Sequence, residues 1–243
     1  MTDLELIRHN FEVVRARIAA AERAAGRPPG SVRLLAVSKT QPPEVIRAAL
    51  ACGQTELGEN YAQELRDKSA AVSGVTWHFI GPLQENKVNL IVGKAACIHT
   101  ISREKILRAV ERRAASLGIV QDVLVQVNLG GEPQKNGLEP GELAGFLELF
   151  AGTPHVRCRG LMTLPPFDLE PEATRPHFAA LARLQSGSAR LLSEAGSRLG
   201  NVSLTELSMG MSGDFEVAIA EGATWVRVGS ALFGPRLSRT GGV

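Results

Sequence analysis

Two cationic residues, Lys39 and Arg227, stand in surroundings that suggest chemistry beyond solvation. Lys39 directly follows the apolar run LLAV and precedes the helix-breaking TQPP, which places its amine at the exit of a short strand. Partial desolvation there would lower the lysine pKa and make the amine a Schiff-base nucleophile. From position alone, a solvated lysine at a strand exit is the simpler reading. Arg227 lies inside TWVRVG, where one strand face carries Trp225, Arg227 and Gly229. A guanidinium in that setting needs a partner, either a bound ligand or a buried acid such as Glu206 on the preceding run. GS (229–230) adds small residues and backbone donors just past that arginine, and SMGMSGD (208–214) adds more at the start of a short helix, groups that hold an anion without many basic side chains. Taken singly, both also make ordinary turns and caps, and Asp214 in a first helical turn already complements the dipole.

Positioning these residues falls to a regular alternation of strand and helix. Eight short apolar or β-branched runs recur: VRLLAV (32–37), TELGE (55–59), TWHFIG (76–81), CIHTI (97–101), DVLVQVN (122–128), RCRGLMTL (157–164), SLTELS (203–208) and TWVRVG (224–229). Helical stretches separate them: PPEVIRAALAC, NYAQELRDKSAAV, LQENKVNLIV, SREKILRAVERRAASLG, EPGELAGFLELFAG, PEATRPHFAALARLQSGSARLLSEAG and DFEVAIAEG. Strands joined through helices pair in parallel, and a count of eight favours closure into a (β/α)₈ TIM barrel over an open sheet. TELGE and CIHTI are short and mixed, and losing either would leave room for the open sheet. Ahead of the first strand, Leu4, Ile7, Phe11, Val14, Ile18 and Ala21 form the stripe of an extra N-terminal helix over 2–25, stopped by GRPPG. No linker divides the chain, so residues 1–243 read as one barrel domain, with a frayed tail at about 235–243. The loops 130–137 and 163–176 are long for joins of this kind, a feature of functional loops. In such a barrel the site lies at the carboxyl ends of the strands, which here offer Ser38 and Lys39, Glu59 and Asn60, Gly81, Ser102, Asn128, Met162 and Thr163, Ser208 to Ser212, and Gly229 with Ser230.

Composition narrows the function classes. The chain has 243 residues, 44% hydrophobic and 21% charged, too apolar for a disordered chain. Its formal charge of +2 provides no broad field for nucleic acid. No apolar run reaches the length of a membrane span, and the N-terminus carries acids where a signal peptide would carry bases, so a cytoplasmic location is expected. Cys52, Cys97 and Cys158 are odd in number and without a CxxC pair, which reads as reduced thiols. The five histidines show no HExxH or HxH pairing, so no metal centre is expected, and His78 reads as a hydrogen-bonded core residue. Neither GxGxxG after the first strand nor a GxSxG elbow occurs.

The blocks AVSKTQP (36–42), LGENYAQE (57–64), WHFIGPLQENK (77–87), LMTL (161–164), SMGMSGD (208–214) and VRVGSALFG (226–234) together resemble the pyridoxal 5′-phosphate (PLP) homeostasis proteins, the YggS, PROSC or PLP-binding protein group. They run in the same order over most of the chain. The resemblance implies a barrel like the N-terminal domain of alanine racemases and PLP as cofactor. It implies a Schiff base on Lys39, with Arg227 at the pyridine nitrogen and Asn60 lining the pocket. The phosphate would be held by Ser208, Ser212, Gly229 and Ser230. Ser230 stands where the commoner family form has Thr, which keeps the hydroxyl.

A guanidinium beside the pyridine nitrogen keeps that atom unprotonated and weakens the ring as an electron sink. Racemases on this barrel add a second, β-rich domain and a tyrosine as opposing base, whereas this chain ends soon after its last strand and its one tyrosine, Tyr61, adjoins the expected cofactor. The resemblance therefore implies a PLP carrier that keeps cofactor and amino-acid balance without a catalytic residue, and delivers PLP to apo-enzymes. The competing reading is a single-domain amino-acid racemase of low activity. Lack of the second domain leaves no racemase-type dimer interface, so a monomer is expected.

Overall fold

In the computed structural model, which describes residues 3–130, 136–166 and 169–234, eight parallel strands close into a barrel in sequence order, and the last pairs back onto the first. The strands are β1 (Arg33–Val37), β2 (Glu56–Glu59), β3 (Thr76–Phe79), β4 (Cys97–Ile101), β5 (Gln121–Gln126), β6 (Val156–Met162), β7 (Val202–Ser208) and β8 (Trp225–Val228). The expected TIM barrel is what the chain forms, and every expected run supplies one strand. The short, mixed runs qualify because both faces are covered. Leu57 of β2 and Ile98 of β4 are fully buried under helices, while the other face of β2 presents Gly58, whose small size accommodates the Leu35 side chain.

Helix α1 (Asp3–Ala24) precedes the barrel, and α2 (Pro43–Ala51), α3 (Ala62–Ala71), α4 (Val88–Ile91), α5 (Glu104–Leu117), α6 (Leu143–Glu148), α7 (Arg175–Gly187), α8 (Ala189–Ala195), α9 (Phe215–Ala220) and α10 (Ser230–Phe233) follow in order. Three stretches differ from expectation. LQENKVNLIV yields a 3₁₀ turn and only one turn of α4. The long stretch after β6 splits at Ser188, whose hydroxyl bonds back to the Leu184 carbonyl at 2.8 Å, a bond that competes with the helical ladder. The one-turn helix α10, which the sequence pattern did not predict, directly follows β8. The expected frayed tail and parts of both long loops (131–135 and 167–168) lie outside the described residues.

The apolar core divides in two. The larger part fills the space between strands and helices, with Phe11, Phe150, Phe178 and Phe215 fully buried in it. The smaller part, Leu35, Ile80 and Trp225 with Val37 against it, sits inside the barrel lumen. Helix α1 places Ile7, Phe11, Val14 and Ile18 on its buried face, each worth about 1.5–3 kcal/mol on burial. It braces the two short helices nearest the seam of the barrel. Asn10 donates to the Leu232 carbonyl at 3.0 Å, Phe11 meets Phe233 edge to face at 5.9 Å, and Arg17 pairs with Glu216 at 2.6 Å. The extra helix thus fixes α9 and α10, the elements that carry the 208–214 and 229–230 stretches.

Candidate functional site

At the carboxyl end of β1 the chain makes a sharp turn. The Ser38 amide still joins the sheet, donating to the Gly58 carbonyl at 3.0 Å, and the Gln41 amide closes back on the Ser38 carbonyl at 3.0 Å. Between them Thr40 takes a left-handed conformation (φ 65°), which costs a non-glycine residue about 1–3 kcal/mol. The neighbouring strand β2 and the helix α3 that follows it offset this strain. The Thr40 amide donates to Glu64 Oε2 at 2.8 Å, and the Ser38 hydroxyl donates to Glu59 Oε1 at 2.7 Å. Buried Lys68 on α3 ties these groups together, donating to the Ser38 carbonyl at 2.8 Å, Glu59 at 2.8 Å and Glu64 at 2.7 Å. Burial pushes Glu59 above the usual carboxylate range against the pull of Lys68. Burial also raises Glu64, but the hydrogen bonds from Lys68 and the Thr40 amide outweigh it and hold that carboxyl low. Lys39, half-buried, leaves this clamp on the side of a cavity of about 530 Å³.

The cavity brings Lys39, Asn60, Ser212, Arg227, Gly229 and Ser230 together, with Ile80, Leu164, Met211 and Phe233 as apolar walls. Asn60 is pinned by a close crossing, since a Cβ on Gly81 would lie 2.0 Å from the Asn60 carbonyl oxygen. Its side-chain Oδ1 is buried without a hydrogen-bond partner. Across the cavity, Gly210 (φ 90°) turns the 208–214 loop so that its carbonyl accepts the Arg227 amide at 2.9 Å. The Ser212 hydroxyl then accepts from the Gly229 amide at 3.3 Å and the Ala231 amide at 3.4 Å, a small nest of donors gathered around one oxygen. Asp214, raised chiefly by burial, accepts the Met211 amide at 2.6 Å and shapes the same loop.

Arg227 forms the floor, and its partners correct two expectations. Glu206 does not pair with it but with Arg33, at 2.6 Å. Ser208 stands opposite Trp225 in the sheet, so Glu206 lies four residues below the level of Arg227, about 13 Å along the strand. Ser208, expected to hold phosphate, is fully buried beneath the cavity and does not line it. Its hydroxyl accepts from Arg227 Nη1 at 2.8 Å, while Nη2 donates to the Thr163 carbonyl at 2.9 Å. Among the described residues no carboxylate lies within ion-pair distance of Arg227, and burial lowers its pKa to about 10, which leaves it charged at neutral pH.

Below Ser208 the lumen holds two histidines. His99 Nδ1 lies 2.9 Å from Ser208 Oγ, and His99 Nε2 lies 2.9 Å from His78 Nδ1. Burial drives both rings toward the neutral form, His78 to about 3 and His99 well below its ordinary value. His78 is thus a hydrogen-bonded core residue on one side, with Nε2 unpartnered on the other. The ligand atoms of His78, Cys97 and His99 lie within 4.8 Å of one another, a grouping invisible to a search for HxH spacing because it joins β3 to β4. Arg33 and Arg227 both face this group and disfavour a cation there. Sequence reasoning offered Glu59 only as a strand-end residue, and it missed His99 and Lys68 as contributors. The block LGENYAQE contains both Glu59 and Glu64, and Lys68 follows Glu64 by one turn of α3.

The model of the alanine racemase N-terminal domain matches residues 2–236. The pyridoxal phosphate homeostasis protein of Aquifex aeolicus is 46% identical over 92% of this chain and 95% of its own length, and that of Pseudomonas aeruginosa is 45% identical over 96% and 97%. The structure of PipY from Synechococcus elongatus with PLP bound superposes with a TM-score of 0.76 at 38% identity, covering 89% of this chain and all of that one. Identity at this level over nearly full length, on the same closed barrel, shows that the chain belongs to the pyridoxal phosphate homeostasis protein family, built on the alanine racemase N-terminal domain.

Proposed function

We propose that this chain binds PLP in the cavity at the carboxyl end of the barrel and serves PLP homeostasis, buffering the cofactor and supplying it to apo-enzymes. One observation carries the reading: Lys39 and Arg227, which among the described residues has no carboxylate within ion-pair distance, line the same cavity, with the Ser212 nest at its rim. The residues present fit the cofactor. Asn60 has a buried amide oxygen without a partner, and the Gly229 and Ala231 amides gathered on Ser212 suit a phosphate. PLP supplies an aldehyde that condenses reversibly with a primary amine, releasing water. Lys39 supplies that amine, and the clamp of Glu59, Glu64 and Lys68 fixes the turn from which it projects. Arg227 meets the ring nitrogen as a donor. Ser212, Gly229 and Ser230 hold the phosphate, whereas Ser208 acts through Arg227.

A carrier needs no opposing base, and Tyr61 does not provide one. It is 54% exposed at the start of α3 and is not among the residues lining the cavity. Racemase-like turnover is the competing reading. Location in the cytoplasm and a monomeric state complete the proposal, and among the described residues no helix is long and apolar enough to cross a membrane. The test is the visible spectrum of the purified protein with added PLP, before and after borohydride, followed by peptide mass spectrometry. A band lost on reduction, a pyridoxyl adduct on Lys39 and its loss in Lys39→Ala are expected. An adduct elsewhere would overturn the assignment, and Lys39-dependent loss of optical purity in L-amino acids at catalytic rates would overturn the carrier reading.

A further inference from the structure

The hydroxyl of Ser208 meets two groups, the Arg227 guanidinium and His99 Nδ1. Arginine only donates. The Ser208 proton therefore goes to His99 Nδ1, because the reverse direction would leave two buried groups without partners, the Ser208 proton and a bare His78 Nε2, whereas this one leaves only the His78 Nε2–H. A neutral His99 that accepts at Nδ1 carries its own proton on Nε2 and gives that hydrogen bond to His78 Nδ1, 2.9 Å away. The chain of bonds runs one way, from Arg227 to Ser208 to His99 to His78, across β8, β7, β4 and β3. Trp225 closes it from the side, 4.8 Å from the His78 ring and 6.1 Å from the His99 ring.

We infer that Ser208, His99 and His78 form a tautomer-locked relay of positioning residues, which aims the Arg227 guanidinium into the cavity and leaves its charge unneutralised for the ring nitrogen of the cofactor. The relay rests on the proposed PLP site and deepens it. A carboxylate in place of Ser208 would hold the guanidinium as firmly but would cancel the charge a bound ring meets. A hydroxyl backed by neutral imidazoles orients it without doing so. Burial keeps both imidazoles neutral, and the charges facing them, Arg33 from β1 and Arg227 from β8, act in the same direction. Cys97, the remaining titratable neighbour on β4, has its thiol pushed well up by burial and brings no charge at neutral pH.

Two measurements test the relay. In the ¹⁵N spectrum of the histidine rings, without added PLP, His99 is expected to show a bare Nδ1 and a protonated Nε2, with no titration between pH 5.5 and 8. A protonated Nδ1, or a midpoint near 6.5, would overturn the relay. With PLP labelled at the ring nitrogen, Ser208→Ala is expected to shift that ¹⁵N signal and to weaken binding by about tenfold, the scale of one hydrogen bond to a charged group. Ser208→Thr, which restores the hydroxyl, is expected to recover both. If the wild-type protein binds PLP and Ser208→Ala leaves signal and affinity unchanged, the inference falls while the binding site stands. If the wild type binds no PLP, the proposed function falls first.

Discussion

At the amino end of the lumen, Arg33 meets Glu206 at 2.6 Å and lies over the Trp225 ring at 3.7 Å, and close by Arg157 meets Asp122 at 2.6 Å. At the carboxyl end, Arg227 is buried, and among the described residues its guanidinium hydrogen-bonds to a hydroxyl and a carbonyl and to no carboxylate. Arg33 and Arg227 occupy adjacent paired strands and face the same interior, yet one is neutralised locally and the other is not. The amino end is built to close the barrel. The carboxyl end spends stability to keep a charge available, as sites poised for an anionic or electron-rich ligand do. Of the acids at that end, Glu59 and Glu64 are held by Lys68, and Asp214 accepts the Met211 amide and reaches Arg227 only as a Coulombic neighbour that does not outweigh burial.

The largest expected effect comes from breaking that assignment. Lys68→Met leaves Glu59 buried and uncompensated, with its Oε2 already lacking a partner. Removal of one member of a buried pair costs about 3–5 kcal/mol, so urea denaturation should show a loss of that size. Combining it with Glu59→Gln should recover most of the loss. Equal instability of single and double variants would show that packing of the long side chain, and not charge, governs the clamp.

Next in size is the response to acid. His78 and His99 are neutral in the folded protein, with pKa values depressed by burial, whereas in the unfolded chain they take up protons near pH 6.5. The unfolded state then binds more protons, so stability is intact above pH 6.5 and falls as pH drops, for His78 down to about 3. Each histidine contributes about 1.4 kcal/mol per pH unit. Denaturation midpoints between pH 6.5 and 5, above the range of most carboxyls, should fall with a slope approaching two protons. A flat profile there would mean that the lumen admits protonated imidazole, and that the two ends do not differ as described.

The barrel itself was legible because its signal is local. Each strand run is apolar or β-branched, each is followed by a helical stripe, and parallel pairing then permits few topologies. Lys39 and Arg227 were legible for the same reason, being odd residues in apolar runs. The partners of Arg227 were not, because they depend on register. Glu206 and Ser208 are two residues apart on one strand face, and only the pairing of Ser208 with Trp225 decides which of them the guanidinium reaches. The histidine relay was hidden for a related reason: His99 and Ser208 are 109 residues apart and meet only because the barrel closes. The turn after β1 shows the same limit, since nothing in SKTQP says that Thr40 takes a positive φ or that Glu64 would hold its amide.

The smallest expected effects also sharpen the contrast most, because they carry opposite signs. Arg33 is 44% exposed, so loss of its exposed ion pair and its contact with Trp225 in Arg33→Met should cost about 1 kcal/mol and leave PLP binding as it was. Arg227→Met removes a buried charge that Asp214 compensates only in part, burial still lowering its pKa, and an apolar side chain of similar length refills the space. The lost bond to the Thr163 carbonyl opposes this gain, but relief of desolvation is the larger quantity, and the protein without PLP should gain about 1 kcal/mol or more. PLP affinity should fall in the same variant. Paired denaturation curves of the two variants, each recorded without PLP, measure the difference directly. Loss of stability in both would mean that Arg227 is a structural arginine like Arg33. Opposite signs would show that the carboxyl end of the barrel gives up stability for a site the amino end does not have.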